Sequence, residues 1–206
     1  MRALVVGGDG LLLELDSAEE VAALHAELLR RRDTGELGRV RDLVPAARTV
    51  LLDGVQDPAA LGARIARWEV PPLARTEGPQ VTVPVRYDGP DLAEVARLWG
   101  VTAREVPEIV GATVFRVAFC GFAPGFGYLT GLPERFHLPR RETPRTTVPA
   151  GSLALAGEYA GVYPRSSPGG WQLIGSTDAV LWDAQREPAA LFAPGVRVRF
   201  TEDGRD

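Results

Sequence analysis

Arginines are concentrated between residues 135 and 165, where they face only two acidic side chains, Glu142 and Glu158. This basic segment lies in a chain whose net charge is -4. Its arginines are Arg135, Arg140, Arg141, Arg145 and Arg165. A guanidinium binds a carboxylate or a phosphate through two parallel hydrogen bonds, and prolines beside it reduce the entropy lost on binding. The segment favours an anion-binding or partner-binding site, with a solvated charged loop as the alternative.

Nucleophiles and bases are scarce in the same region. His137 stands between apolar neighbours, and Cys120 ends an apolar strand pattern, so we expect both side chains to be structural. The chain has no lysine, which excludes a P-loop lysine or a Schiff-base lysine. Its single cysteine excludes a multi-cysteine metal site, and no metal site is predicted. Hydroxyl groups beside turns occur at Ser166, Ser167, Ser176 and Thr177.

Glycine and proline divide residues 119–177 into short segments. Glycine tolerates positive φ and proline fixes φ, so the pattern predicts short strands joined by shaped turns. Tyr128, Tyr163 and Trp171 would line a pocket or close the ends of a barrel, and the sequence leaves both open. The turn residues of interest are Gly121, Pro124, Gly125, Pro149, Gly151, Pro168, Gly169 and Gly170, followed by Trp171.

Residues 1–78 are predicted to form a small α+β domain of order ββαββα. Apolar runs at residues 2–7 and 10–15 flank a Gly-Gly-Asp-Gly turn and predict a hairpin. Ser17 with Glu20 forms a capping box that predicts the first helix, and Asp57-Pro58 predicts the start of the second. Two strands are expected between the helices, near residues 38–44 and 48–52. Residues 71–79 have the proline and glycine content of a linker.

Residues 79–206 are predicted to form an antiparallel β-barrel domain. The pattern indicates a strand over 80–87, a helix over 90–99 and a further helix that starts at Pro107 or is kinked there. Many short strands with turns between them are typical of a closed barrel. They are expected near residues 113–119, 152–156, 161–163, 171–175, 180–182 and 196–200.

Composition limits the function classes. An acidic net charge of -4 argues against nucleic-acid binding, which needs a basic face. No apolar run is long enough to span a bilayer, and the single cysteine fits a reducing compartment, so we expect a cytoplasmic protein without a membrane partner.

The assembled motifs resemble the KipI-like family, whose members are also called allophanate hydrolase subunit 1 or the B-type subunit of 5-oxoprolinase. The resemblance covers nearly the whole chain, including Gly8-Asp9 and Val44-Pro45-Ala46 in the first domain. In the second domain it rests on GFAPGF at 121–126, Tyr128-Leu129, Pro139-Arg140, Pro144-Arg145, VPAGS at 148–152, Ala156-Gly157, Tyr163-Pro164, SPGGW at 167–171 and Ile174-Gly175.

Membership would imply a cyclophilin-like barrel and work within a complex. The expected partners are a larger subunit of the allophanate hydrolase subunit 2, or KipA-like, type and a third subunit of the LamB/YcsF type. Such a complex opens 5-oxoproline to glutamate at the expense of ATP, and no cofactor is expected on this chain alone. The resemblance also allows two other roles. One is inhibition of a sensor histidine kinase, and the other is a carboxyltransferase unit of a urea-carboxylase-like biotin enzyme.

The role in a 5-oxoproline-opening complex implies candidate site residues. Arg140, Arg145 and Arg165 would bind a small anionic substrate or phosphate, with Tyr128, Ser152 and Thr177 lining the site. The family's usual polar residues are replaced here at Val110, where relatives carry histidine, and at Tyr159, Ala160 and Ser176. These replacements leave the substrate open.

Overall fold

The computed structural model describes residues 1–73 and 78–203. By contact density the chain divides into two compact units, Met1–Glu77 and Gly78–Asp206. Residues 74–77 of the predicted linker lie outside the described residues.

The first unit is a four-stranded antiparallel sheet with two helices, and it confirms the predicted order ββαββα. The sheet order is β1-β2-β4-β3. One face of the sheet packs its leucines and valines against the helices, which gives this unit its own core. The elements are β1 (Arg2–Val6), β2 (Gly10–Glu14), α1 (Ala18–Asp33), β3 (Asp42–Pro45), β4 (Thr49–Asp53) and α2 (Pro58–Ile65).

Both helices of this unit begin at the predicted caps. The Ser17 hydroxyl accepts a hydrogen bond from the Glu20 amide at 3.2 Å, and the Asp57 carboxylate accepts one from the Ala60 amide at 3.0 Å. Each bond satisfies an amide that the helix itself leaves unpaired. The capping residues therefore fix where each helix starts.

The second unit consists of a seven-stranded sheet, a two-stranded sheet and two short helices. Its helices are α3 (Leu92–Trp99) and α4 (Glu105–Ala112), and one 3₁₀ turn spans Glu134–Phe136. Its strands are β5 (Gln80–Val85), β6 (Phe115–Cys120), β7 (Gly127–Thr130), β8 (Arg145–Val148), β9 (Ser152–Ala156), β10 (Tyr159–Val162), β11 (Ser167–Gly169), β12 (Gln172–Ser176) and β13 (Arg197–Glu202).

The seven strands close into a barrel. Their order is β12-β9-β10-β7-β6-β13-β5. Arg86 and Ser176, which follow β5 and end β12, exchange two backbone hydrogen bonds of 2.8 and 2.7 Å and so join the sheet's two edges. The prediction of a wholly antiparallel barrel needs one correction, because β13 runs parallel to β5. The α+β class with a β-barrel is confirmed.

Three further predictions differ from the structure. The helix expected from Pro107 begins at Glu105, because proline is tolerated in a first turn whose amides lack intrahelical partners. No strand forms at residues 180–182, where Trp182 makes only an isolated bridge to Ala190. Strands β7, β8 and β11 were not predicted, since each has four residues or fewer and is interrupted by glycine, proline or polar residues.

Two apolar clusters lie on opposite faces of the barrel wall. The interior holds the larger one, which includes Phe115, Phe192 and Phe200. The smaller one contains Phe126, Tyr163 and Trp171 and lies under the two-stranded sheet β8–β11. Within the described residues, no helix is both long and apolar enough to cross a bilayer, and no cluster of three His, Cys, Asp or Glu side chains is placed to hold a metal.

Candidate functional site

Asp91 is a buried carboxylate that bonds two arginines of the basic segment, Arg141 and Arg145. Only 4% of Asp91 is exposed. Its Oδ1 accepts hydrogen bonds from Arg141 Nη1 at 2.7 Å and Arg145 Nη2 at 2.8 Å. Its Oδ2 accepts one from the Leu173 amide at 2.7 Å. One carboxylate therefore holds two guanidinium groups and the edge of strand β12.

The two arginines come from the β8–β11 sheet and the turn before it. Arg145 begins β8 and pairs with Gly169 of β11. The Arg141 amide donates to the Gly170 carbonyl at 2.8 Å. Asp91 immediately precedes α3, and its own amide donates to the Leu173 carbonyl at 2.9 Å. The ion pairs thus fasten the β8–β11 sheet to the barrel edge.

This cluster retains positive charge and unused hydrogen-bond donors. Two guanidinium groups face the single charge of Asp91, and both keep a buried donor, Arg141 Nε and Arg145 Nη1, without a partner among the described residues. A buried donor left unpaired costs about 1–3 kcal/mol. An acceptor oxygen brought to these donors would remove that cost, which is the chemistry of a carboxylate or phosphate ligand.

Tyr163 lies beside the arginines and beneath the β8–β11 sheet. Burial raises the pKa of the Tyr163 hydroxyl, while the charges of Arg140 and Arg145 act in the opposite direction on that pKa. Gly169 packs directly on this hydroxyl, so no side chain fits at residue 169. The Tyr163 ring meets Phe126 edge-on at 5.5 Å. The arginines therefore border a packed aromatic surface.

The other predicted ligands divide into exposed and structural groups. Arg140 and Arg165 are exposed, and within the residues described neither forms an ion pair. Ser152 is buried, and its hydroxyl donates to the Pro149 carbonyl at 2.9 Å. Thr177 is also buried, and its hydroxyl accepts from the Ala179 amide at 3.2 Å. Ser152 and Thr177 therefore stabilise turns in this structure.

Tyr128 and Trp171 belong to the aromatic network rather than to an open pocket. Tyr128 is half-buried and stacks on Phe119, with 4.3 Å between ring centroids. Trp171 is 5% exposed and meets Tyr128 at 5.7 Å. These rings pack in the aromatic cluster under the β8–β11 sheet rather than in an open pocket.

The motif turns bring separate strands close together. Gly125 has φ of +84°, and a β-carbon there would lie 2.9 Å from that of Trp182. Gly151 has φ of +79° and packs on the Thr177 carbonyl. Gly121 accepts a hydrogen bond from the Ala123 amide at 2.7 Å in the turn after β6. The motif prolines Pro124, Pro149 and Pro168 are exposed, with Pro168 in β11.

The positions at which this chain lacks the polar residues usual in the resembled family are scattered over the second unit. Val110 is fully buried in the core cluster, on α4. Ala160 is buried in β10, and Tyr159 meets Phe119 edge-on at 5.6 Å. The Ser176 hydroxyl donates to Asp88 at 2.9 Å, near the closure of the barrel. These positions do not form one cluster around Asp91.

Sequence reasoning missed Asp91 altogether. It stands at the start of a predicted helix, where an aspartate is ordinarily explained as a cap. In the structure its side chain makes no capping bond and instead binds residues 50 and more positions away.

Comparison with known proteins now identifies the family. Residues 1–192 match the family described as carboxyltransferase domain, subdomain C and D. This chain belongs to that family. It is 36% identical over 97% of its length to a family relative from Escherichia coli O157:H7, a 5-oxoprolinase B-type subunit, of which it covers 94%. The resemblance drawn from the motifs is thereby confirmed.

Solved structures agree on the fold of this family member. A crystal structure of a protein called TTHA0988 is 33% identical, covers 96% of this chain and has a TM-score of 0.78. This chain spans only 40% of that protein. The Kluyveromyces lactis urea carboxylase covers 98% of this chain with a TM-score of 0.70, and this chain spans 21% of it. At 16% identity, the urea carboxylase supports the fold alone.

Proposed function

We propose that this chain is the B-type subunit of an ATP-dependent complex that opens 5-oxoproline to glutamate. The observation that carries the proposal is the 36% identity to the 5-oxoprolinase subunit of Escherichia coli O157:H7 over nearly the full length of both proteins. The proposed complex is cytoplasmic and includes a larger subunit of the allophanate hydrolase subunit 2 type, with a LamB/YcsF-type subunit as the third. ATP is consumed by the complex, and the chain alone is inactive.

The arginines Arg140, Arg145 and Arg165 support an anionic substrate in this proposal. 5-Oxoproline carries a carboxylate on a small planar lactam ring, which suits guanidinium groups beside aromatic side chains. Arg140 and Arg165 are the exposed arginines that would bind the carboxylate or a phosphate. Arg145 would contribute its unused Nη1 donor while Asp91 fixes the rest of its guanidinium. The chain therefore supplies binding and orientation to chemistry completed by its partners.

Reconstitution tests the proposal directly. The chain is purified with both partner subunits from the same genome, and glutamate formation from 5-oxoproline is followed with and without ATP. We expect ATP-dependent turnover by the assembled complex and none by this chain alone. Absence of turnover in an assembled three-subunit complex would overturn the assignment.

Arginine variants then test the binding role. Replacing Arg140 with glutamine removes a charge-assisted hydrogen bond and should raise KM for 5-oxoproline about tenfold with little change in kcat. Arg165→Gln should act in the same direction. Arg199→Gln, at an exposed position of β13, is the control and should leave KM unchanged. If KM for 5-oxoproline is the same in Arg140→Gln and Arg165→Gln as in the Arg199→Gln control, these two arginines do not bind the substrate.

A carboxyltransferase role is the second candidate, because the family's own description names that activity. It would require a biotin-carrying partner chain, since this chain has no lysine to carry biotin. Transfer of a carboxyl group from carboxybiotin in the presence of this chain and its larger partner, without 5-oxoproline turnover, would favour it.

A further inference from the structure

Two aromatic side chains, Phe122 and Trp182, are exposed on contacting loops of the second unit. Phe122 is 57% exposed and Trp182 is 46% exposed, and every other described aromatic residue is buried or half-buried. Their loops are in contact, because Gly125 packs against Leu181 and the β-carbon of Trp182. Val180, two residues before Trp182, is 60% exposed. Exposed aromatic residues on contacting loops are typical of a protein interface rather than of a solvated surface.

The backbone at Phe122 is held in an unfavourable conformation. Its φ is +67°, and it is the one described non-glycine residue with positive φ. A residue with a β-carbon rarely adopts this conformation, which is retained only where the surroundings enforce it. The exposed ring meets Phe126 at 5.3 Å and Tyr163 at 6.1 Å, both edge-on. The turn thus presents an aromatic ring to solvent at an energetic cost.

The loop that carries Trp182 is held rigid by one arginine. The Arg186 guanidinium donates to four backbone carbonyls, those of Val180 at 3.1 Å, Leu181 at 3.5 Å, Pro188 at 3.2 Å and Ala189 at 3.0 Å. The Asp183 amide also donates to the Ala189 carbonyl at 2.9 Å. A loop ordered before binding loses little entropy when a partner docks, so its contacts contribute more fully to affinity.

Acidic residues flank Trp182 on its own loop. Asp183 and Glu187 are exposed on the Trp182 loop, whereas the guanidinium of Arg186 is engaged by the loop's carbonyls. These two carboxylates favour a partner that places basic residues opposite the Trp182 loop.

We propose that Phe122 and Trp182 anchor the docking of a second protein subunit, whose surface has an apolar pocket rimmed by lysine or arginine. The inference rests on the proposed function, because that subunit is the larger partner of the proposed complex. TTHA0988 supports a protein occupant, since this chain matches only 40% of it and the matched region there is joined to further protein. An apolar centre that includes aromatic residues, surrounded by a polar rim, is the usual arrangement of a protein interface.

Binding of the larger subunit, of the allophanate hydrolase subunit 2 type from the same genome, tests the docking surface by calorimetry. Trp182→Ala and Phe122→Gly should each raise Kd at least tenfold. Leu98→Ala is the matched control, because Leu98 is 39% exposed on α3, away from both loops in sequence. The control should stay within twofold of the native Kd. Phe122→Gly should not lower the melting temperature, because glycine relieves the positive φ.

The acidic rim has a separate readout. The double variant Asp183→Asn, Glu187→Gln should slow association severalfold at low salt and lose that difference at high salt. Kd values within twofold of native for both aromatic variants would overturn the proposal, as would absence of binding by the native chain. If the complex assembles through Phe122 and Trp182 but does not turn over 5-oxoproline, only the proposed function is contradicted. If the complex turns over 5-oxoproline and both aromatic variants assemble as well as the native chain, only the docking surface is contradicted.

Discussion

Arg145 Nη2 lies 2.8 Å from Asp91 Oδ1, joining two residues that are 54 positions apart in the chain. Arg141 bonds the same oxygen at 2.7 Å, so a single carboxylate oxygen receives two guanidinium groups. Both arginines stand in the segment that covers Tyr163 and Trp171, and Asp91 stands at the barrel edge. The positions of the Arg141 and Arg145 guanidinium groups therefore depend on one buried aspartate.

Replacement of Asp91 by alanine should lower the free energy of unfolding by about 3 kcal/mol, because it leaves buried guanidinium donors without a counter-charge. Urea titration measures the loss. Glu94→Ala is the control, since Glu94 pairs with Arg97 on the exposed surface of α3 and should change stability by less than about 0.5 kcal/mol. Equal effects of the two variants would show that Asp91 does not hold the β8–β11 sheet.

Gly151 and Gly157 separate backbone strain from steric overlap. Both have positive φ, at +79° and +58°, but Gly151 packs on the Thr177 carbonyl and Gly157 has no neighbour within 4 Å. Alanine at 157 should therefore cost about 1 kcal/mol, and alanine at 151 more than about 3 kcal/mol. Chemical denaturation of the two variants gives the comparison. A smaller loss at 151 than at 157 would contradict the packing described for this turn.

Glu27 should make the stability of the first unit depend on pH. Hydrogen bonds from Arg30 and Arg31 lower the pKa of Glu27 from 4.5 to about 2. A carboxyl whose folded pKa is depressed stabilises fully above its unfolded pKa, and this contribution is lost as the pH falls toward the folded value. The stability difference between the native chain and Glu27→Gln should therefore shrink from pH 6 to pH 3. Urea titrations at several pH values measure it, and a constant difference would contradict the assignment.

Cys120 should react slowly with thiol reagents in the folded chain. Burial raises the pKa of its thiol from 9.0 to about 11, and the sulfur donates weakly to the Phe192 carbonyl at 3.4 Å. At pH 8 this shift leaves about a hundredfold less thiolate than an ordinary cysteine has. Labelling with a disulfide reagent should be at least that much faster in urea. Equal rates in the folded and unfolded chains would mean that the thiol is accessible.

Local sequence patterns predicted the first unit well because its signals are local. Ser17 and Asp57 cap helices within their own turns, and the glycine-rich turn after Val6 defines the hairpin. The second unit was predicted only in class. Its short strands β8 and β11 lack alternation, and the parallel pairing of β5 with β13 joins residues more than 100 positions apart. No local pattern encodes that pairing.

The candidate site was predicted by residue type rather than by geometry. Arg145 was recognised as a potential anion ligand, but its partner Asp91 lies far away in sequence. Thr177 was predicted as a hydroxyl group beside a turn, and Ser152 as a site residue implied by the family resemblance. The hydrogen bonds of both hydroxyl groups in the structure are those of the turns themselves. Whether a polar side chain faces a ligand or its own backbone depends on tertiary packing.

Strand β13 lies between β5 and β6, although among the described residues it follows every other strand of the second unit in the chain. Until residues 197–202 leave the ribosome, β5 and β6 each expose the strand edge that later pairs with β13. Open edges recruit other strands, so nascent or truncated chains that end before Arg197 should aggregate readily. The order of synthesis thus makes the final strand the step that commits this unit to its native state.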